Sequence, residues 1–146
     1  MDTEKKIWHI GDVARFEKHI TREDVDTFAR VTGDFNELHM DPDYAKTTRF
    51  GRCVVHGLLV SNLISTTMGM IMPGKGCIFL DQSERFLLPT YIDDTVTAIV
   101  ELTGIDEKKS CYIAELTGKV VNQRGETVVT AVAHEMMPKE YFSVEA

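Results

Sequence analysis

A chain of 146 residues that is 43% hydrophobic and 27% charged is one domain by length, spanning 1–146 and large enough to bury a core. The formal charge of −7 argues against nucleic-acid binding and against attraction to anionic membranes. The longest apolar stretch, 53–72, is broken by Ser61, Asn62, Ser65, Thr66 and Thr67, and the N-terminal MDTEKKIWHIGD holds no signal-like run, so a cytoplasmic protein without a membrane partner is expected.

In chain order, a short strand is expected at Ala14 to His19. TREDVDTFARVTG then reads as a helix, with Thr21 and Asp24 as a capping box and Val25, Phe28, Ala29 and Thr32 at helical spacing. Gly33 ends it, so Asp34 opens a loop. DPDYAKTT predicts one helical turn, with Asp41 as cap and Pro42 at the first position. Residues 56–71 predict a central helix that is apolar nearly all round and therefore buried on most sides; PGKG at 73–76 stops it. Strands follow at 77–88, 95–103, 110–121 and 127–137, the first bulged where its alternation slips near Asp81–Glu84. NQRGE reads as the last hairpin turn. Helices followed by an antiparallel run of strands give an α+β class. Cys53, Cys77 and Cys111 are scattered, with no CxxC pair and no zinc-like Cys/His spacing; reduced core thiols and no metal site are expected.

The stretch TGDFNELHMD brings Asp34, Asn36 and His39 within six residues. On a regular helix Asp34 and His39 would diverge; in a loop that curls back they can converge on one water and act as an acid–base pair. Asn36 would hold that loop or orient its neighbours. Taken alone, the same residues also describe a capped turn with a surface histidine. The HG at 56–57 opens the central helix, where free backbone N–H groups can face a developing oxyanion and a glycine admits close approach.

The full stretch TGDFNELHMDPDYAKTTRFGRCVVHGLLVSNLIS resembles the motif of MaoC-like (R)-specific enoyl-CoA hydratases: roughly T-G-D-x-N-P-x-H-x-D, a phenylalanine, then a hydrophobic-H-G at the central helix. Asp34, Asn36, His39, Asp41, Phe50, His56 and Gly57 match in order. Glu37 departs from it, standing where the family usually has proline. The resemblance implies a hot-dog fold, an antiparallel sheet wrapped around a long helix, in a homodimer. It implies reversible hydration of a trans-2-enoyl-CoA to an (R)-3-hydroxyacyl-CoA, with no metal or redox cofactor. Asp34 and His39 would be catalytic, Gly57 would hold the thioester oxygen, and Ser65 matches a serine near the catalytic water. Lys46, Arg49 and Arg52, with Lys75 and Arg85, are candidates to meet coenzyme A phosphates. Met68, Met70 and Met72 suit core filling or an acyl pocket. The rival readings are a dehydratase of acyl-carrier-protein esters and a non-catalytic acyl-thioester-binding subunit.

Overall fold

The computed structural model describes residues 4–146. Its strands are β1 (Lys6–His9), β2 (Val13–His19), β3 (Ile78–Phe86), β4 (Thr95–Glu107), β5 (Cys111–Val121), β6 (Thr127–Pro138) and β7 (Phe142–Glu145). Its helices are α1 (Arg22–Thr32), α2 (Glu37–Met40), α3 (Pro42–Lys46) and α4 (Gly57–Met70), all between β2 and β3. The five long strands form one antiparallel sheet in the order β2-β4-β5-β6-β3. β2, β4 and β5 present alternate residues to α4, because strand side chains alternate between faces. Val96, Ala98, Val100 and Leu102 of β4 and Tyr112, Ala114, Leu116 and Val120 of β5 are buried, as their alternation predicts. They pack with Val60, Leu63, Ile64 and Met68 of α4. Each buried Val, Leu, Ile or Met among them contributes about 1.5–3 kcal/mol by leaving water. This is the expected hot-dog arrangement.

Four features differ from the sequence reading. β1 and β7 pair in parallel as a small separate sheet, joining the two ends of the chain; four-residue strands carry too little pattern to be read in advance. The irregularity in β3 falls between Phe79 and Asp81, at the near edge of the stretch where the alternation slips. The methionines in and just after α4, a helix that leaves Leu58 61% and Met70 75% exposed, divide between two roles. Met68 and Met72 fill the core, whereas Met70 does not. Finally, His39 does not sit in a loop. It lies on α2, a single turn that the sequence pattern was too short to reveal.

Candidate active site

The capping box forms at the start of α1, where Asp24 N–H donates to Thr21 Oγ1 and Thr21 N–H to Asp24 Oδ2. At the other end Gly33 adopts φ 79°, a left-handed conformation that suits glycine, and its N–H donates to Ala29 O. The chain thereby reverses at Asp34. Asn36 N–H donates to Asp34 Oδ1 at 3.2 Å, and Leu38 N–H donates to Asn36 Oδ1 at 3.0 Å, so Asn36 caps α2. Asn36 does hold the loop, and its side chain lines neither cleft described below. Glu37 occupies the first position of α2, where proline is best tolerated and where an acid is favoured by the helix dipole. The departure from the family pattern is therefore compatible with the same turn.

Arg22 fastens α2 to α1. Its guanidinium donates to His39 O and Met40 O, each at 3.0 Å, and pairs with Asp26 at 3.1 Å. Asp41 then caps α3 by accepting from Asp43 N–H and Tyr44 N–H. The half-buried His39 is oriented by Val54: its Nδ1–H donates to Val54 O at 2.6 Å. A carbonyl only accepts, so in the neutral ring Nε2 carries a bare lone pair.

His56 joins the parts. It is the residue before α4 and is only 2% exposed. Its Nε2–H donates to Asp34 O at 2.9 Å, tying the Asp34 loop to the start of α4. Its ring lies on His39, centroids 4.0 Å apart, and against Phe28 at 4.8 Å. Nδ1 of His56 is buried without a partner. Burial holds His56 below the usual imidazole range, and His39 beside it pushes the same way, against the opposing hydrogen bond to Asp34 O.

One donor atom from each of Asp34, His39 and His56 lies within 4.8 Å of the others. A water donating to two acceptors holds them about 4.4 Å apart, a span on the scale of this cluster. The start of α4 has no side-chain cap, and Leu59 and Val60 N–H already donate to His56 O. The N–H groups of Gly57 and Leu58 are thus left without a partner inside the helix. Gly57 and His39 border two adjoining clefts. One, of about 380 Å³, also contains Asp34, His56, Phe28, Thr32 and Leu58. The other, of about 270 Å³, is mainly apolar, with Val54, Val60, Leu87, Leu88 and Val129, and has Arg49 and Phe50 at its side. Phe86 belongs to both. A methyl added at Gly57 would meet Phe86 Cε1 at 2.8 Å, so the absence of a side chain here lets the Phe86 ring pack against the start of α4.

The structure thus brings together Asp34, His39 and Gly57, and adds His56, Phe86, Arg22 and the carbonyl of Val54. Phe86 and Arg22 lie outside the quoted motif stretch or on α1, where only the pairing of distant segments reveals them. Ser65 is half-buried on α4, two turns beyond Gly57, and lines neither cleft. The expected basic patch divides. Arg49 lies at the apolar cleft, while Lys46 and Arg52 line a small neighbouring hollow and Arg52 stacks on Tyr91 at 3.8 Å. Lys75 sits past the far end of α4, and Arg85 faces a depression of about 590 Å³ on the outer face of the sheet.

Known proteins share this architecture. The (R)-specific enoyl-CoA hydratase of Aeromonas caviae is 43% identical over 129 residues, 88% of this chain and 95% of that protein. A solved A. caviae (R)-hydratase superposes with a TM-score of 0.83, covering 88% of this chain and 96% of that one. A mitochondrial 3-hydroxyacyl-[acyl-carrier-protein] dehydratase of Arabidopsis thaliana is 33% identical over 86% of this chain and 74% of its own length. A solved R-hydratase from Pseudomonas aeruginosa gives a TM-score of 0.84 at 35% identity, over 94% of this chain and 86% of that one. The family model described as "MaoC like domain" matches residues 8–124. With most of its length matched, and the Asp34–His39–Gly57 site built on the helix that the sheet encloses, the chain belongs to the MaoC-like domain family.

Proposed function

We propose that the protein is an (R)-specific enoyl-CoA hydratase, a hydro-lyase that adds water reversibly to a trans-2-enoyl-CoA. The observation that carries this reading is the pairing of two acceptors, the Asp34 carboxylate and the bare ring nitrogen of His39, with N–H groups at Gly57 and Leu58 that have no partner inside the helix, across one cleft. The acceptors grip a water by its hydrogens and turn its lone pair toward carbon 3. As oxygen bonds to carbon 3, the pair takes one proton from the water, and the electrons of the double bond move to the thioester oxygen. The α4 amides stabilise that enolate; losing such a donor costs about two to three orders of magnitude in rate. The proton taken from water balances the one delivered to carbon 2. No electrons are gained or lost, so the chemistry calls for no redox cofactor.

The apolar cleft beyond Gly57 suits the acyl chain, and Arg49 at its side suits a phosphate. The exposed edge of the sheet, with Ile78, Phe79, Leu80, Phe86, Leu87 and Leu88, together with Leu58 and Met70 on α4, supports a homodimer that covers this apolar surface. Three free cysteines suit a reducing cytoplasm. Among the described residues no helix is long and apolar enough to cross a membrane.

The test is the ultraviolet absorbance of crotonyl-CoA and hexenoyl-CoA, which falls as the conjugated thioester is hydrated, with chiral analysis of the product. The (R)-3-hydroxyacyl product is expected; unchanged absorbance with both substrates, or an (S) product, overturns the assignment. The likeness to the A. thaliana protein favours one second reading, dehydration of carrier-protein esters. A higher kcat/KM for the carrier-bound hydroxyacyl substrate than for its coenzyme A ester would select it.

A further inference from the structure

The pair Asp34 and His39 explains hydration without the bare nitrogen of His56, and that nitrogen is the unexplained atom of the site. Each imidazole spends its N–H on a main-chain carbonyl: His39 Nδ1–H on Val54 O, and His56 Nε2–H on Asp34 O. Both rings are thereby fixed in tautomers whose other nitrogen can only accept. The Asp34 carboxylate is likewise an acceptor, leaving three acceptors and no side-chain donor among them. Imidazoles whose second nitrogen is oriented by a carbonyl are the arrangement that metal-binding histidines adopt. Two imidazole nitrogens and one carboxylate oxygen form a ligand set suited to zinc.

We infer that Asp34, His39 and His56 form a chelating site for a divalent transition-metal ion, Zn²⁺ foremost, and that the bound ion shuts down the reaction centre. Tetrahedral zinc holds its ligands about 3.4 Å apart at bond lengths of about 2.1 Å. One ligand-capable atom from each of the three residues lies within 4.8 Å of the others, so bringing the bare nitrogens and the carboxylate onto one ion needs only side-chain adjustment. The two rings, stacked at 4.0 Å with planes 31° apart, must hinge so that their lone pairs converge. A shared water fits the wider spacing as it stands, so the ion binds by displacing the water and drawing its two holders together. His134, with Asp81 at 2.7 Å and Glu115 at 3.8 Å on the outer sheet face, offers an ion-paired surface alternative and serves as the control.

Binding is tested on the purified full chain, stripped with chelator, by calorimetry with Zn²⁺ and by visible absorption with Co²⁺. One ion per chain with micromolar affinity is expected, with a Co²⁺ band that Zn²⁺ removes. Asp34→Asn, His39→Ala and His56→Gln should each weaken Zn²⁺ binding by roughly tenfold or more, while His134→Ala should not. Circular dichroism and thermal melting verify that each variant is folded; if His56→Gln does not fold, the two remaining variants decide. Absence of saturable binding at micromolar ion, or binding that survives the cluster substitutions or disappears with His134→Ala, overturns the site. The inhibitory half rests on the hydratase reading: Zn²⁺ should abolish crotonyl-CoA hydration, and chelator should restore it. Cluster-dependent binding without inhibition overturns that half. Cluster-dependent binding by a protein that never hydrates crotonyl-CoA upholds the metal site and sinks the hydratase reading, so the two failures are distinct.

Discussion

The two ends of α4 each bury an ionisable group with an orphaned atom, yet they are built differently. At the first turn, buried His56 touches His39, holds the Asp34 loop and adjoins unpaired amides and an open cleft. At the last turn, Glu135 of β6 is equally buried, at 2% exposed, and its Oε2 has no partner. It meets the thiol of Cys77, whose Sγ approaches Met68 O, among fully buried Met68 and Met72. Burial pushes the Cys77 thiol up to about 12, and the neighbouring carboxylate adds to this. Burial also raises Glu135 above the usual carboxylate range, only partly offset by the thiol's hydrogen bond. The difference teaches that an odd buried charge does not make a site. Chemistry needs further groups facing the same space, and only the first turn supplies them.

The sharpest way to break this contrast is to remove the acceptors at the first turn. Asp34→Asn and His39→Ala are each expected to lower kcat for crotonyl-CoA hydration by about two to four orders of magnitude with an unchanged melting temperature. A near-normal rate in either variant removes that residue from the reaction. Changing Glu135→Gln at the other end should leave kcat within a factor of about two, since a group outside the reacting cleft offers no transition-state stabilisation.

Next comes Gly57→Ala. Its new methyl would press on Phe86 Cε1 at 2.8 Å and displace either the ring or the helix start. A loss in kcat/KM of up to about a hundredfold is expected, because sub-ångström misplacement at a reacting centre is felt strongly. The double variant Gly57→Ala with Phe86→Leu should recover much of it. Failure to recover would mean that the glycine matters for something other than space.

The two ends should also respond to pH with opposite sign. Folded His56 holds a proton less readily than the unfolded chain does. Its contribution is therefore intact above its ordinary value of 6.5 and is lost as pH falls through the lower folded value. Folded Glu135 holds its proton more readily, so its contribution is intact below 4.5 and is lost as pH rises through the raised folded value. Urea melts across pH should show the acid-side decline flattened by His56→Gln and the rising-pH decline flattened by Glu135→Gln. Glu135→Gln should also raise the melting temperature at pH 8 by a few degrees. Identical pH profiles in wild type and both variants would refute the assignment of either slope. The smallest effect is chemical: Cys77 should resist thiol reagents at pH 8 in the folded protein, while half-buried Cys111 reacts first. Mass-spectrometric mapping of the labelled thiol checks this.

Local signals were strong enough to be read directly. Thr21, Asp24 and Gly33 mark the ends of α1 because capping and left-handed turns depend on side chains a few residues apart. The alternation at 96–102 and 112–120 exposes the inner face of the sheet because a strand's period is fixed by its backbone. Asp34, His39 and Gly57 were legible as a motif, since their chemistry and spacing are local. What the chain alone left open is what distant segments decide. The placement of β3 beside β6, with Phe86 against Gly57, follows from burying both faces of the core and leaves no mark in β3 itself. Nor does the spacing of Arg22, Val54 and His56 reveal that they orient His39 and Asp34 from 15 to 22 residues away. The sequence by itself marked the longer elements and the candidate reacting groups, because caps, periods and side-chain chemistry act over a turn or two. Only the tertiary structure decided tautomers, clefts and the open face of α4, because these depend on which carbonyl, ring or strand packing brings within a few ångströms.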